Sequence, residues 1–104
     1  MKTIETLIDE ETKISAVELI LAECRRDAVV RLSKLVMDYE SPLSEKSAVR
    51  VREYAEGYVR GFTEGVVNAS RFDKFTLDLL DNSSEDLLTY LLDYVDRLIK
   101  LKNK

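Results

Sequence analysis

Histidine and tryptophan are absent from this 104-residue chain, cysteine and proline occur once each, and glycine occurs three times. Each shortage excludes something. Without histidine there is no Ser-His-Asp or Cys-His catalysis, no imidazole general base and no His-ligated zinc. One cysteine makes neither an internal disulfide nor a Cys-rich metal site. So little glycine and proline leaves little turn chemistry, which argues against a many-stranded β fold. Long apolar runs are lacking too. The densest, Ile14 to Cys24, is broken by Ser15, Glu18 and Glu23, and it falls far short of the roughly 20 residues of a membrane span. Positive charge is also in deficit: 16 Lys and Arg stand against 20 Asp and Glu, a net charge of −4. A general nucleic-acid binder needs a basic field to displace counterions from phosphates, so no direct nucleic-acid binding is expected.

What is present points to a folded chain. Hydrophobic residues make up 45% and charged residues 35%, a balance that supports a core. The length suits one domain, residues 1–104, with one modest core. Met1-Lys2 leads into mixed polar residues rather than an apolar leader segment. With the lone Cys24, this favours a reducing, cytoplasmic setting.

Hydrophobic periodicity is mostly helical. Thr3 to Glu11 places Ile4, Leu7 and Ile8 at helical spacing with Thr3 as a cap, while the weak alternation of Lys2 to Leu7 leaves a strand open there. Ser15-x-x-Glu18 has the capping-box pattern and opens a second helix. Its buried line is Ile14, Val17, Leu21, Cys24, Ala28, Leu32, Leu35 and Tyr39. Leu19, Ile20, Val29, Val30, Val36 and Met37 lie off that line, an apolar surplus for one helix. Ser41-Pro42 ends it and offers an N-cap and first residue to a third helix, Leu43 to Asn68. Ser70-x-x-Asp73 caps a shorter helix carrying Phe72, Phe75, Leu79 and Leu80. The run Asp81 to Asp86 reads as a turn before a last helix with stripes Leu87, Leu91, Tyr94, Leu98, Leu101 and Leu88, Leu92, Val95, Ile99. The expected fold is all-α, a compact bundle of four to five helices with short loops.

The three glycines stand in one helix at steps of four, Gly57, Gly61 and Gly65, and Ala69 extends the series. A mid-helix glycine costs about 1 kcal/mol relative to alanine, so three in register suggest a groove for close approach of another helix. Arg60 and Glu64 inside the series exclude the membrane version of this motif. Beside it runs an aromatic ridge, Tyr54, Tyr58 and Phe62. The groove's occupant is open at this point: another helix of the chain, a second copy, or a foreign partner or ligand.

Charge is polarised along the chain. Residues 73 to 96 hold seven acids against Lys74 alone, whereas residues 25 to 60 hold eight cations against six acids. Asp78, Asp81, Glu85, Asp86, Asp93 and Asp96 form a candidate acidic face for a basic partner. Arg25, Arg26, Arg50, Arg52 and Arg60 are expected to pair with Glu53, Glu56 and Glu64. Cys24, on the core line, reads as a small buried hydrophobe.

Carboxylates one turn apart can also bind magnesium on a helix. Glu53-x-x-Glu56 and Asp78-x-x-Asp81 are such pairs, and Asp93-x-x-Asp96 is a third. Their spacing is loosely similar to that of the all-α nucleotide pyrophosphohydrolases, which use ExxE followed by ExxD. The second pair departs from that pattern by opening on Asp.

The reading that follows is a small non-catalytic, cofactor-free helical bundle that inhibits or regulates a partner protein with a basic surface. Surplus apolar surface points to a homodimer or higher homo-oligomer. By analogy of class alone, small acidic chains of this build are common among phage and mobile-element inhibitors of host defence or nucleic-acid enzymes. Two alternatives stand beside it. One is a magnesium-dependent hydrolase using Glu53, Glu56, Asp78 and Asp81. The other is a small-ligand sensor or sequestering protein built on Tyr54, Tyr58 and Phe62.

Overall fold

Among the described residues three helices, not four or five, account for the fold. The computed structural model describes the backbone of residues 4–104 and side chains from residue 10 onward. The Thr3 cap and the side chains of Ile4, Leu7 and Ile8 fall outside the described residues. Helix α1 runs Ile4–Asp38, α2 runs Glu45–Ala69 and α3 runs Lys74–Lys102.

Two expected breaks are helical instead. α1 passes straight through Ser15-x-x-Glu18, and α3 passes through Asp81 to Asp86. Neither helix contains glycine or proline, so nothing in its backbone forces a stop. In α3 the apolar stripe also continues across the polar run, with Leu80 and Leu87 both buried. Ser84 donates to the Asp81 carbonyl at 2.8 Å, so its hydroxyl bonds within the helix rather than competing with it.

The two real junctions are also shifted. Pro42 does not open α2. Leu43 is buried instead, and its N–H donates to the Asn103 side-chain oxygen at 2.7 Å. Ser44 becomes the N-cap, accepting from the Ser47 N–H at 3.1 Å. At α3 the cap is Asp73 rather than Ser70. One carboxylate oxygen accepts from the Thr76 N–H at 2.9 Å and the Thr76 hydroxyl at 2.6 Å. Lys13 of α1 pairs with the other oxygen. The Lys13 hydrogen bond, followed by those from Thr76, holds the Asp73 carboxyl well below the usual carboxylate range. Its contribution to stability is therefore present at neutral pH and fades as pH falls through its depressed folded-state pKa.

α1 and α3 run parallel, because Lys13 meets Asp73, Ser33 meets Tyr94 and Lys102 meets Val36. α2 runs antiparallel to both, because Asp27 meets Tyr58 and Arg52 meets Asp96. α3 shares its surface with both neighbours, while the α1–α2 contact is the slightest. With Lys13 already level with the start of α3, the first turns of α1 project past the α2–α3 corner. The molecule is accordingly elongated, 58 × 23 × 17 Å.

The core is aliphatic and small. Val17, Leu21, Cys24, Ala28, Leu32 and Val36 of α1 face Val51, Ala55 and Val59 of α2 and Leu80, Leu87, Leu91 and Val95 of α3. Fully buried Cys24, Ala28 and Ala55 let the helices approach closely. Burial, and then the charge of Asp27, push the Cys24 thiol up to about 11, which leaves it an inert packing group.

The end of α3 fastens the α1–α2 connection. The Lys102 ammonium donates to the carbonyls of Val36 and Met37, each at 2.7 Å, and to that of Tyr39. These groups lie at the C-terminal end of α1, where carbonyls lack helical partners and the dipole favours a cation. Asn103 holds Leu43 beside it. Lys102→Met keeps the apolar stem and removes the donors. It should lower stability by about 2 kcal/mol, roughly 10 °C in Tm, measured by thermal circular dichroism.

Candidate functional site

Helix α2 carries three parallel lines at steps of four, and the fold treats each differently. Val51, Ala55 and Val59 are buried. Tyr54, Tyr58 and Phe62 lie at the margin toward α1, with Tyr54 still 39% exposed. Gly57, Gly61 and Gly65 are exposed. Gly57 and Gly61 each lie two residues from a buried position, about 200° around the helix. A Cβ added at any of them meets nothing within 4 Å, and none has a positive φ. Among the described residues nothing fills the groove, and Ala69 at its end is exposed as well.

The aromatic ridge is largely engaged within the chain. Successive ring centroids stand 6.4 Å apart from Tyr54 through Tyr58 to Phe62. The Arg31 guanidinium lies 5.5 Å from the Tyr58 ring centroid, a cation–π contact. Tyr58 donates its hydroxyl proton to Asp27. Arg31 also donates to Asp27, at 3.1 Å. Burial, then the Asp27 bond, push the Tyr58 hydroxyl up to about 12. The Tyr58 bond, more than Arg31, lowers Asp27 against a smaller opposing effect of burial. Arg31 is raised, chiefly by the Tyr54 hydroxyl and next by Asp27. The four side chains form a polar lock across the weakest helix contact. Beside it lies a shallow depression lined by Glu23, Arg26, Asp27, Val30 and Phe62.

The acids of α3 divide into two groups. Asp96 pairs with Arg52 at 2.6 Å and Asp93 with Arg97 at 2.8 Å. Asp78, Asp81, Glu85 and Asp86 pair with no cation among the described residues, and all four are exposed. All six fall within an arc of roughly 140° on the side of α3 away from Leu80 and Leu87. The unpaired four crowd two turns of it. Asp78 and Asp81 also line a groove with Arg60, Thr63, Glu64 and Asn68 of α2. The arginines do not make the expected pairs with Glu53, Glu56 and Glu64. Arg52 reaches Asp96, and Arg25 lies 5.6 Å from the Tyr90 ring centroid.

The carboxylate pairs are not brought together. α2 and α3 are antiparallel, so Glu53 and Glu56, in the first half of α2, lie toward the far end of α3 from Asp78 and Asp81. Among the described residues no group of three or more acids or cysteine is placed to hold a metal ion. No helix of the described chain is long and apolar enough to cross a membrane.

The apolar surplus is greatest on α1, although Leu101 of α3 is also 64% exposed. α3's second stripe is absorbed, since Leu88, Leu92 and Ile99 pack against the core. α1 keeps Leu19, Val30 and Met37 at 72%, 62% and 71% exposure. The off-line positions of α1 had marked these residues, while the companions Glu23 and Arg26 on the same face carried no signal of their own.

Since the fold does not require the glycines, replacing Gly57, Gly61 and Gly65 by alanine should stabilise the protein by about 0.5–1 kcal/mol each. Chemical denaturation reads this as a higher midpoint at unchanged slope.

Comparison with protein-family models, with curated proteins and with solved structures found no match for this chain.

Proposed function

We propose that this chain is a non-catalytic helical protein that binds a partner protein through the acidic outer arc of α3. It acts by occlusion, as an inhibitor or regulator, and works as a homo-oligomer. The observation that supports this is the division of the acids. Asp73, Asp93 and Asp96 are each held by a cation, whereas Asp78, Asp81, Glu85 and Asp86 stand exposed without one among the described residues. Four like charges over two helical turns repel one another, a cost that a basic partner surface would remove. Such a patch raises association rates and selects against acidic partners. The phosphate-binding channel of a nucleic-acid enzyme, a host defence nuclease included, has the complementary chemistry.

Affinity capture from the native host, with wild type beside Asp81→Lys/Glu85→Lys/Asp86→Lys, tests this. The expected result is a partner with a basic surface that is retained by wild type and by Asp93→Lys. The triple variant should lose it, and the wild-type complex should weaken as salt rises. Recovery of the same proteins by wild type and triple variant at all salt concentrations would overturn the reading.

A further inference from the structure

The exposed face of α1 is complementary to itself. The exposed residues turned away from the core recur at steps of three and four over Ala16, Leu19, Glu23, Arg26 and Val30, and Met37 continues the line. Any face of a helix has this spacing; exposed large apolar residues set this one apart. Leu19, Val30 and Met37 are among the most exposed large apolar side chains described. Glu23 and Arg26 lie between them, in no ion pair among the described residues. We infer that this face docks on the same face of a second copy, as an antiparallel α1–α1 pair related by a two-fold axis between Glu23 and Arg26.

The order of residues selects that geometry. Placing the axis midway between Glu23 and Arg26 sets each Glu23 opposite the partner's Arg26, twice by symmetry. The same register sets Leu19 opposite the partner's Val30. Opposite charges then meet opposite charges, and large apolar groups meet each other. A parallel two-fold pair would set Glu23 on the partner's Glu23 and Arg26 on the partner's Arg26, which like-charge repulsion disfavours. An isologous contact of this kind closes on itself and covers Leu19 and Val30 of both copies. Val30 also borders the depression shared with Phe62, so the seam widens onto the α1–α2 side of the bundle. This pairing deepens the homo-oligomer part of the proposal above and is independent of the acidic arc on α3.

Charge exchange tests it by sedimentation or light scattering. All the positions are exposed, and circular dichroism verifies that each variant folds. Wild type should be a dimer. Glu23→Arg and Arg26→Glu should each weaken self-association at least tenfold, roughly 1.4 kcal/mol. Mixing the two single variants should restore a one-to-one dimer, because each then presents the charge the other lacks. The double exchange Glu23→Arg/Arg26→Glu should dimerise alone. A wild-type dimer indifferent to both single exchanges would overturn this interface and leave the homo-oligomer reading in place. A wild-type monomer at roughly 100 µM would overturn both.

Discussion

Burial of one unbroken apolar stripe along α3 is the constraint on which the other features depend. Leu80, Leu87, Leu91 and Val95 lie on the side facing the core, and that stripe is shared between α1 and α2. Because the helix has a neighbour on each flank, it has a single free side. Its surplus of polar residues, mostly acids, can only collect there. The same sharing explains why α1 and α2 touch each other least. The Asp27, Arg31, Tyr54 and Tyr58 lock and the Lys102–Asn103 clasp supply polar fastening where apolar contact runs thin.

The end of α1 and the start of α3 are each tied by a side chain from the other helix. Asp73 caps α3 while pairing with Lys13 of α1. Lys102 of α3 caps α1. Local helix chemistry and tertiary packing thus use the same residues. A connection as short as 39–44 can then turn the chain without glycine. What remains unsatisfied is confined to the surface: the exposed stripe of α1, the glycine line of α2 and the unpaired acids of α3. A fold that can stabilise itself by glycine-to-alanine exchange, yet keeps three glycines in register, has a smooth face that its own packing does not use.

The helical class, the extent of α2 and the α1 core line from Val17 to Leu32 were legible in the sequence, because apolar spacing records them directly. The number of helices was not. Ser15 with Glu18, and Asp81 through Asp86, have the chemistry of helix starts. Such residues begin a helix only where none is already running. The absence of glycine and proline from both stretches was the stronger signal. On α2 the valine–alanine, tyrosine–phenylalanine and glycine lines have the same period. Spacing alone therefore placed Gly57, Gly61 and Gly65 on one line without saying whether it faces in or out. The partners of Arg52 and Lys102 depend on how helices distant in sequence align, which no local pattern encodes.

Continuity of α3 through its acidic stretch carries both the three-helix architecture and the outward arc of acids, and native-state hydrogen exchange measures it directly. Amides of Asn82 to Asp86 should exchange with the same slow, cooperative opening as those of Leu87 to Val95. Fast exchange confined to Asn82–Asp86, with protection resuming at Leu87, would reveal a turn and contradict the account.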